Sequence, residues 1–158
     1  MEHREKLTVE ECRSTAFDFL KKSNLNLFLV DDYIEIDQEN SVDFEQYELC
    51  RSIVFESLIK NDLFYLDANQ SDKWFKYFED EIYKLFIKSD DYKKDTVYFD
   101  MVLGGIVTQI SNLILEKFSV DYMVAVGLAS LLVYTIIKVG INAWCEKYRN
   151  DRGINDNE

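Results

Sequence analysis

Few residues in this chain combine the types and spacing that catalysis needs. Cys12, Cys50 and Cys145 lie far apart, and no two have the separation of a metal-binding pair. The single histidine, His3, sits in the N-terminal stretch, so Ser–His and Cys–His arrangements lack a base. Gly104-Gly105 falls inside an apolar run with no Lys-Ser or Lys-Thr after it, unlike a phosphate-cradling loop. Carboxylates are abundant, but Glu79-Asp80-Glu81 and Asp90-Asp91 are sequence neighbours, which point in different directions on a helix. Glu45 and Glu48, three apart, share a face and have the spacing to hold a divalent ion; on so acidic a chain such pairs arise by chance. The expectation is a protein that is not an enzyme, with no catalytic residue, no metal site and no cofactor.

A second set of residues points to contact rather than chemistry. Thr96 to Cys145 contains two apolar runs, Met101–Leu115 and Tyr122–Ile137, joined by Glu116-Lys117-Phe118-Ser119-Val120-Asp121. The pattern predicts an antiparallel helical hairpin. Asp100, Gly104, Thr108, Asn112 and Glu116 recur every four residues on the first arm, and Ser130, Tyr134, Lys138, Asn142 and Glu146 on the second. Residues four apart stack on one face, so each arm has a narrow polar line and is apolar elsewhere. Such a helix belongs in a core, an interface or a bilayer. The expected contact residues are Val102, Ile106 and Ile110 on the first arm and Leu128, Leu132 and Ile136 on the second. With a turn near Ser119, facing residues have numbers summing to about 238, which sets Asp100 opposite Lys138 as a buried ion pair.

The other elements must wrap this segment. With 158 residues the chain has one domain's worth of length and enough surface to bury a core. Proline is absent, where average usage gives about eight; long helices with short turns follow. Thr8-Val9-Glu10-Glu11 is a capping box opening a first helix, which presents Val9, Cys12, Ala16, Phe19 and Leu20 on one face and ends near Ser23-Asn24. Glu10 and Glu11 at its start and Lys21 and Lys22 at its end match the helix dipole. Leu25 to Asp37 reads as a short β-hairpin turning at Asp31-Asp32, or as a helical turn with an extended link. Helical periods continue from Val42 to Lys60 and from Ser71 to Lys88. In the latter, Trp74, Phe75, Phe78, Ile82, Leu85 and Phe86 form the buried face; the exposed Glu79, Asp80 and Glu81 oppose its use as a base-stacking platform. The fold class is all-α with about five helices. The chain divides into an acidic helical region (1–95), the apolar hairpin (96–150) and a tail (151–158) broken at Gly153 and expected to be disordered, the first two forming one globular unit.

Charge narrows the partners. The net charge is −12, and Asp31 to Asp67 holds eleven acids against Arg51 and Lys60. Direct nucleic-acid binding is not expected, since phosphate contacts need Lys and Arg. Either the acid keeps a hydrophobic protein soluble, or it meets a basic partner. The N-terminus has no apolar stretch of the secretory type, and the odd, scattered cysteines suit a reducing compartment, so a cytoplasmic location is expected. Two functional classes follow. One is a helical interaction or accessory protein that forms a homo-oligomer or docks on a larger protein partner through the hairpin. The other is a small protein of the inner or plasma membrane with two spanning helices and a cytoplasmic acidic domain. Tyr122 and Trp144 bracket the second arm as an aromatic belt would, but the uncharged runs fall short of the about 20 residues that a span requires.

Overall fold

The computed structural model describes residues 7–39, 44–62, 68–88, 96–118 and 120–154, with side chains described except at 59–62, 68–72, 88 and 96–101. All regular structure among these residues is helical: α1 (Val9–Lys22), α2 (Leu27–Asp37), α3 (Glu45–Asp62), α4 (Ala68–Lys88), α5 (Thr96–Lys117), α6 (Tyr122–Val139) and α7 (Ile141–Arg152).

α1 starts as its sequence dictates. The Thr8 hydroxyl accepts from the Glu11 N–H at 3.1 Å, and the Glu11 carboxylate accepts from the Thr8 N–H at 3.2 Å, closing the capping box. Cys12, Ala16, Phe17 and Leu20 turn inward; Phe19 lies half-buried against α6. On α4 the buried side chains are Phe75, Phe78, Ile82 and Phe86. Trp74 lies edge-on to Phe78 and Phe118.

The segment 25–37 is not a β-hairpin: Leu27–Asp37 of it is a helix. Asn26 caps it, its side-chain oxygen accepting from the Phe28 N–H at 2.9 Å. Val30, Tyr33 and Asp37 then fall on one buried face. Tyr33 and Asp37 bond side chains of α6, and α2 packs on α3. A two-stranded hairpin here would have no sheet to join. The apolar second arm also differs from expectation: it is not one continuous helix. Gly140 adopts φ 112°, outside helical geometry, and divides it into α6 and α7. With α2 and this break, seven helices stand among the described residues where about five were expected. At the far end Gly153 terminates α7 in the left-handed conformation, as its position implies; residues 155–158 lie outside the described set.

α6 is the axis of the fold. α1, α3, α5 and α7 all pack on it. Leu128, Leu131, Leu132, Val133, Thr135 and Ile136 cover its circumference and all are buried. Burying a Leu or Ile side chain stabilises by about 1.5–3 kcal/mol, so four of these contribute on the order of 10 kcal/mol, comparable with the net stability of a domain. Small residues let α1 approach closely. A Cβ added at Gly127 would lie 2.5 Å from Phe19 Cδ1, and the Cys12 thiol donates to the Ser130 carbonyl at 3.3 Å.

Candidate functional site

Two polar clusters bring chemistry-bearing side chains of several helices together among the described residues. The first is centred on Asp37, which is 4 % exposed. Its Oδ1 accepts from Tyr134 Oη at 2.7 Å and from Gln46 Nε2 at 2.9 Å, and its Oδ2 accepts from Arg13 Nε at 3.1 Å. Four helices, α1, α2, α3 and α6, meet at this carboxylate. Beside it Tyr33 Oη and Thr135 Oγ1 are 2.6 Å apart. Thr135 spends its hydroxyl proton on the Leu131 carbonyl at 2.6 Å, so Tyr33 is the donor. Burial pushes the Tyr134 phenol above its ordinary range, and the hydrogen bond to Asp37 adds to the shift. Burial also pushes the Cys12 and Cys50 thiols up to about 12. Asp37 is fully engaged and inaccessible, and the thiols are held protonated, which suits structure rather than nucleophilic or base chemistry.

The second cluster joins α4 to α7. Arg152 donates through Nε to Asp80 at 3.1 Å, and through Nη2 to Glu79 at 3.2 Å and to the Lys76 carbonyl at 3.1 Å. Tyr148 Oη donates to Asp80 at 2.7 Å, and its ring stacks on Tyr83 at 4.1 Å. Tyr47 Oη donates to Glu79 at 2.6 Å. Glu79 and Asp80 are therefore not a solvated repulsive face; they are half-buried and fasten α4 to α7. A cleft of about 300 Å³ opens beside them, lined by Arg51, Lys76, Glu79, Lys147, Tyr148 and Arg152 among others. Acids and bases alternate around it, and Lys147 and Arg152 are paired with Asp151, Glu79 and Asp80.

The third feature is apolar and open. A groove of about 540 Å³ runs between the C-terminal half of α1 and the start of α6, lined by Thr15, Phe19, Lys22, Asn24, Met123 and Gly127 among others. Met123 is 76 % exposed, and Tyr122 beside it is also exposed. Leu27 and Phe28, at the first turn of α2, are 72 % and 80 % exposed. Asn24 lines the groove and Leu27 is three residues on, so the Leu27 backbone lies within about 11 Å of that of Asn24 by chain reach alone. Lone exposed apolar side chains are ordinary; here two adjacent pairs, Leu27 with Phe28 and Tyr122 with Met123, are exposed together.

The contact residues expected from the sequence are placed elsewhere. Leu128, Leu132, Ile136, Ile106 and Ile110 are buried within the chain and Val102 is half-buried, so this face is occupied by the protein's own helices. The polar line of α6 is covered at its centre by other helices of the chain: Tyr134 meets Asp37 of α2, and the Ser130 carbonyl receives Cys12 of α1. Lys138 is half-buried near the end of α6, whereas the Asp100 side chain expected opposite it lies outside the described residues. Among the described residues no group of three His, Cys, Asp or Glu side chains is placed to hold a metal ion. The signal for the apolar end was present in the sequence: Asn26 as a cap, then Phe28, Asp31, Asp32 and Glu35 at helical spacing. No family model matches the chain, nor does any curated protein or solved structure.

Proposed function

We propose that this is a non-enzymatic helical interaction or accessory protein, which docks on a protein partner through the apolar end of its bundle where α1 stops and α2 and α6 begin. The observation that carries this reading is the groove itself, lined by Phe19 and the exposed Met123 and large enough to take several side chains, with exposed Tyr122 next to Met123 and exposed Leu27 and Phe28 three and four residues after its lining residue Asn24. The partner is a second copy of the chain or a larger protein. The apolar α5–α6 segment is the scaffold that positions this end. Net charge of −12 opposes direct contact with nucleic acid, and the three buried free thiols suit a reducing compartment.

One observation favours a second reading, a membrane protein. Among the described residues α6 is the one helix long and apolar enough to cross a bilayer, with 18 residues of mean hydropathy 1.9. Against it, 67 % of that stretch is buried by other helices of the same chain, as in the core helix of a self-contained bundle.

Photo-crosslinking separates the readings. A photoreactive amino acid at position 28 or 123 in cells that make the protein gives discrete protein adducts, and one at exposed Asn150 on α7 gives none. Lipid adducts from positions within α6 support the membrane reading. Equal, diffuse labelling from all three sites removes the docking surface.

A further inference from the structure

The partner's chemistry is legible on α2. This helix has one face in the core and another in water, and the outer face begins with Leu27 and Phe28. Asp31, Asp32 and Glu35 follow Phe28 at three, four and seven residues, so they stack on the same side, and all three are exposed. No Lys, Arg or His occurs between Ser23 and Cys50, while eight acids do. The apolar step is held in place rather than left to move. Asn26 caps the helix through the Phe28 N–H, and the Asn26 N–H donates to Glu56 of α3 at 3.0 Å. A large aromatic fixed in water at the head of an acidic helix has two needs a partner can meet together, an apolar surface and positive charge.

We propose that the outer face of α2, headed by Leu27 and Phe28, docks a basic amphipathic helix of a protein partner. The partner's apolar stripe covers Leu27 and Phe28, and its flanking Lys or Arg side chains meet Asp31, Asp32 and Glu35. This deepens the docking reading above and rests on it. A second copy of this chain does not supply such a stripe from α2, because α2 carries no base. The acidic row gives fast, salt-sensitive encounter, and the aromatic anchor gives residence.

The test uses the full-length, isotope-labelled protein and two synthetic peptides of about 18 residues, five helical turns, made only of Leu and Lys. One peptide spaces Leu as an amphipathic stripe; the other has the same composition in an order that prevents a stripe. Amide shifts on titration with the first peptide should centre on Leu27 to Glu35, and the second should bind at least about tenfold more weakly. Phe28→Ala should cost the striped peptide about tenfold in affinity and leave the other unchanged. Asp31→Lys, Asp32→Lys and Glu35→Lys together should remove binding of both. Phe28 and these acids are exposed, so the variants keep the fold, which the unchanged amide spectrum of α6 verifies. Equal affinities for the two peptides, with no effect of Phe28→Ala, overturn the proposal in favour of plain charge attraction. Shifts centred on Phe19 and Met123 instead overturn the α2 assignment while leaving docking at the apolar end intact. Absence of binding by either peptide also overturns it, and crosslinking from position 123 then decides the docking reading separately.

Discussion

Tyr134 of α6 donates to Asp37 of α2 at 2.7 Å, a bond between residues 97 apart in the chain. With Arg13 and Gln46 on the same carboxylate, it ties three helices to the end of α2. Removing one donor leaves the other two in place, whereas removing the acceptor leaves several donors partly unsatisfied. Tyr134→Phe should therefore cost about 1.5–3 kcal/mol in urea unfolding, the range for a hydrogen bond to a charged group. Asp37→Ala should cost more than Tyr134→Phe. Equal or negligible losses would mean that the cluster does not hold the helices together.

The close approach of α1 and α6 depends on Gly127. An added methyl meets Cβ, Cγ and Cδ1 of Phe19, the root of the side chain rather than its tip, all within 2.7 Å. Gly127→Ala should destabilise by about 1–3 kcal/mol, as overpacking does. Phe19→Ala in the same chain should recover part of that loss, a coupling that a double-mutant cycle measures. Strictly additive losses would place Phe19 away from Gly127.

Leu132 and Phe28 should behave in opposite ways. Leu132 is fully buried in the single chain, so Leu132→Asp should prevent folding rather than dissociate an assembly. Phe28→Asp should leave the melting curve nearly unchanged, as exposed substitutions do. Circular dichroism on the two variants checks this pair. A folded Leu132→Asp monomer would return that side chain to an oligomer interface.

The buried thiols make stability depend on alkaline pH. Burial raises the Cys12 and Cys50 pKa from 9.0 to about 12 in the folded chain. Above pH 9 the unfolded chain loses protons that the folded chain keeps, so the native state binds more protons and stability falls as pH rises. The contribution is fully present below about 9 and disappears as pH approaches 12. Urea midpoints should decline across that window, and Cys50→Ala should make the decline shallower. A slope unchanged by Cys50→Ala would mean that its thiol does not titrate high.

The parts of the fold written in local pattern were legible before the structure. Thr8 and Glu11 announce α1, and Phe75, Phe78, Ile82 and Phe86 announce the inner face of α4, because capping and 3.6-residue periodicity are local. Segment 25–37 was misread because Leu, Ile, Phe and Tyr suit strands as well as helices, and the decision is made by Tyr33 and Asp37 reaching α6, a contact more than 90 residues away. Gly140 lies inside an otherwise helical pattern, and its positive φ, which ends α6, is not written in that pattern. The apolar arms were visible, but whether their faces were covered by the same chain depends on how α1 and α3 pack on α6, which no local pattern states. The contact residues were thus sought at positions such as Leu128, Leu132 and Ile136, which are buried within the chain, whereas Tyr122 and Met123 at the start of the same arm are exposed.

Hydrogen exchange of the full-length protein in detergent-free buffer, read by mass spectrometry along α6, tests most directly the claim that α6 is the enclosed axis of a self-contained bundle and that contact is made at its end. The account predicts a protein that stays in solution, with amides from Ala125 to Ile136 exchanging slowest of all and the first turns of α2 and α6 among the fastest in the helices. A protein that needs detergent to remain dispersed, or whose α6 amides are protected only once lipid or detergent is added, would contradict it.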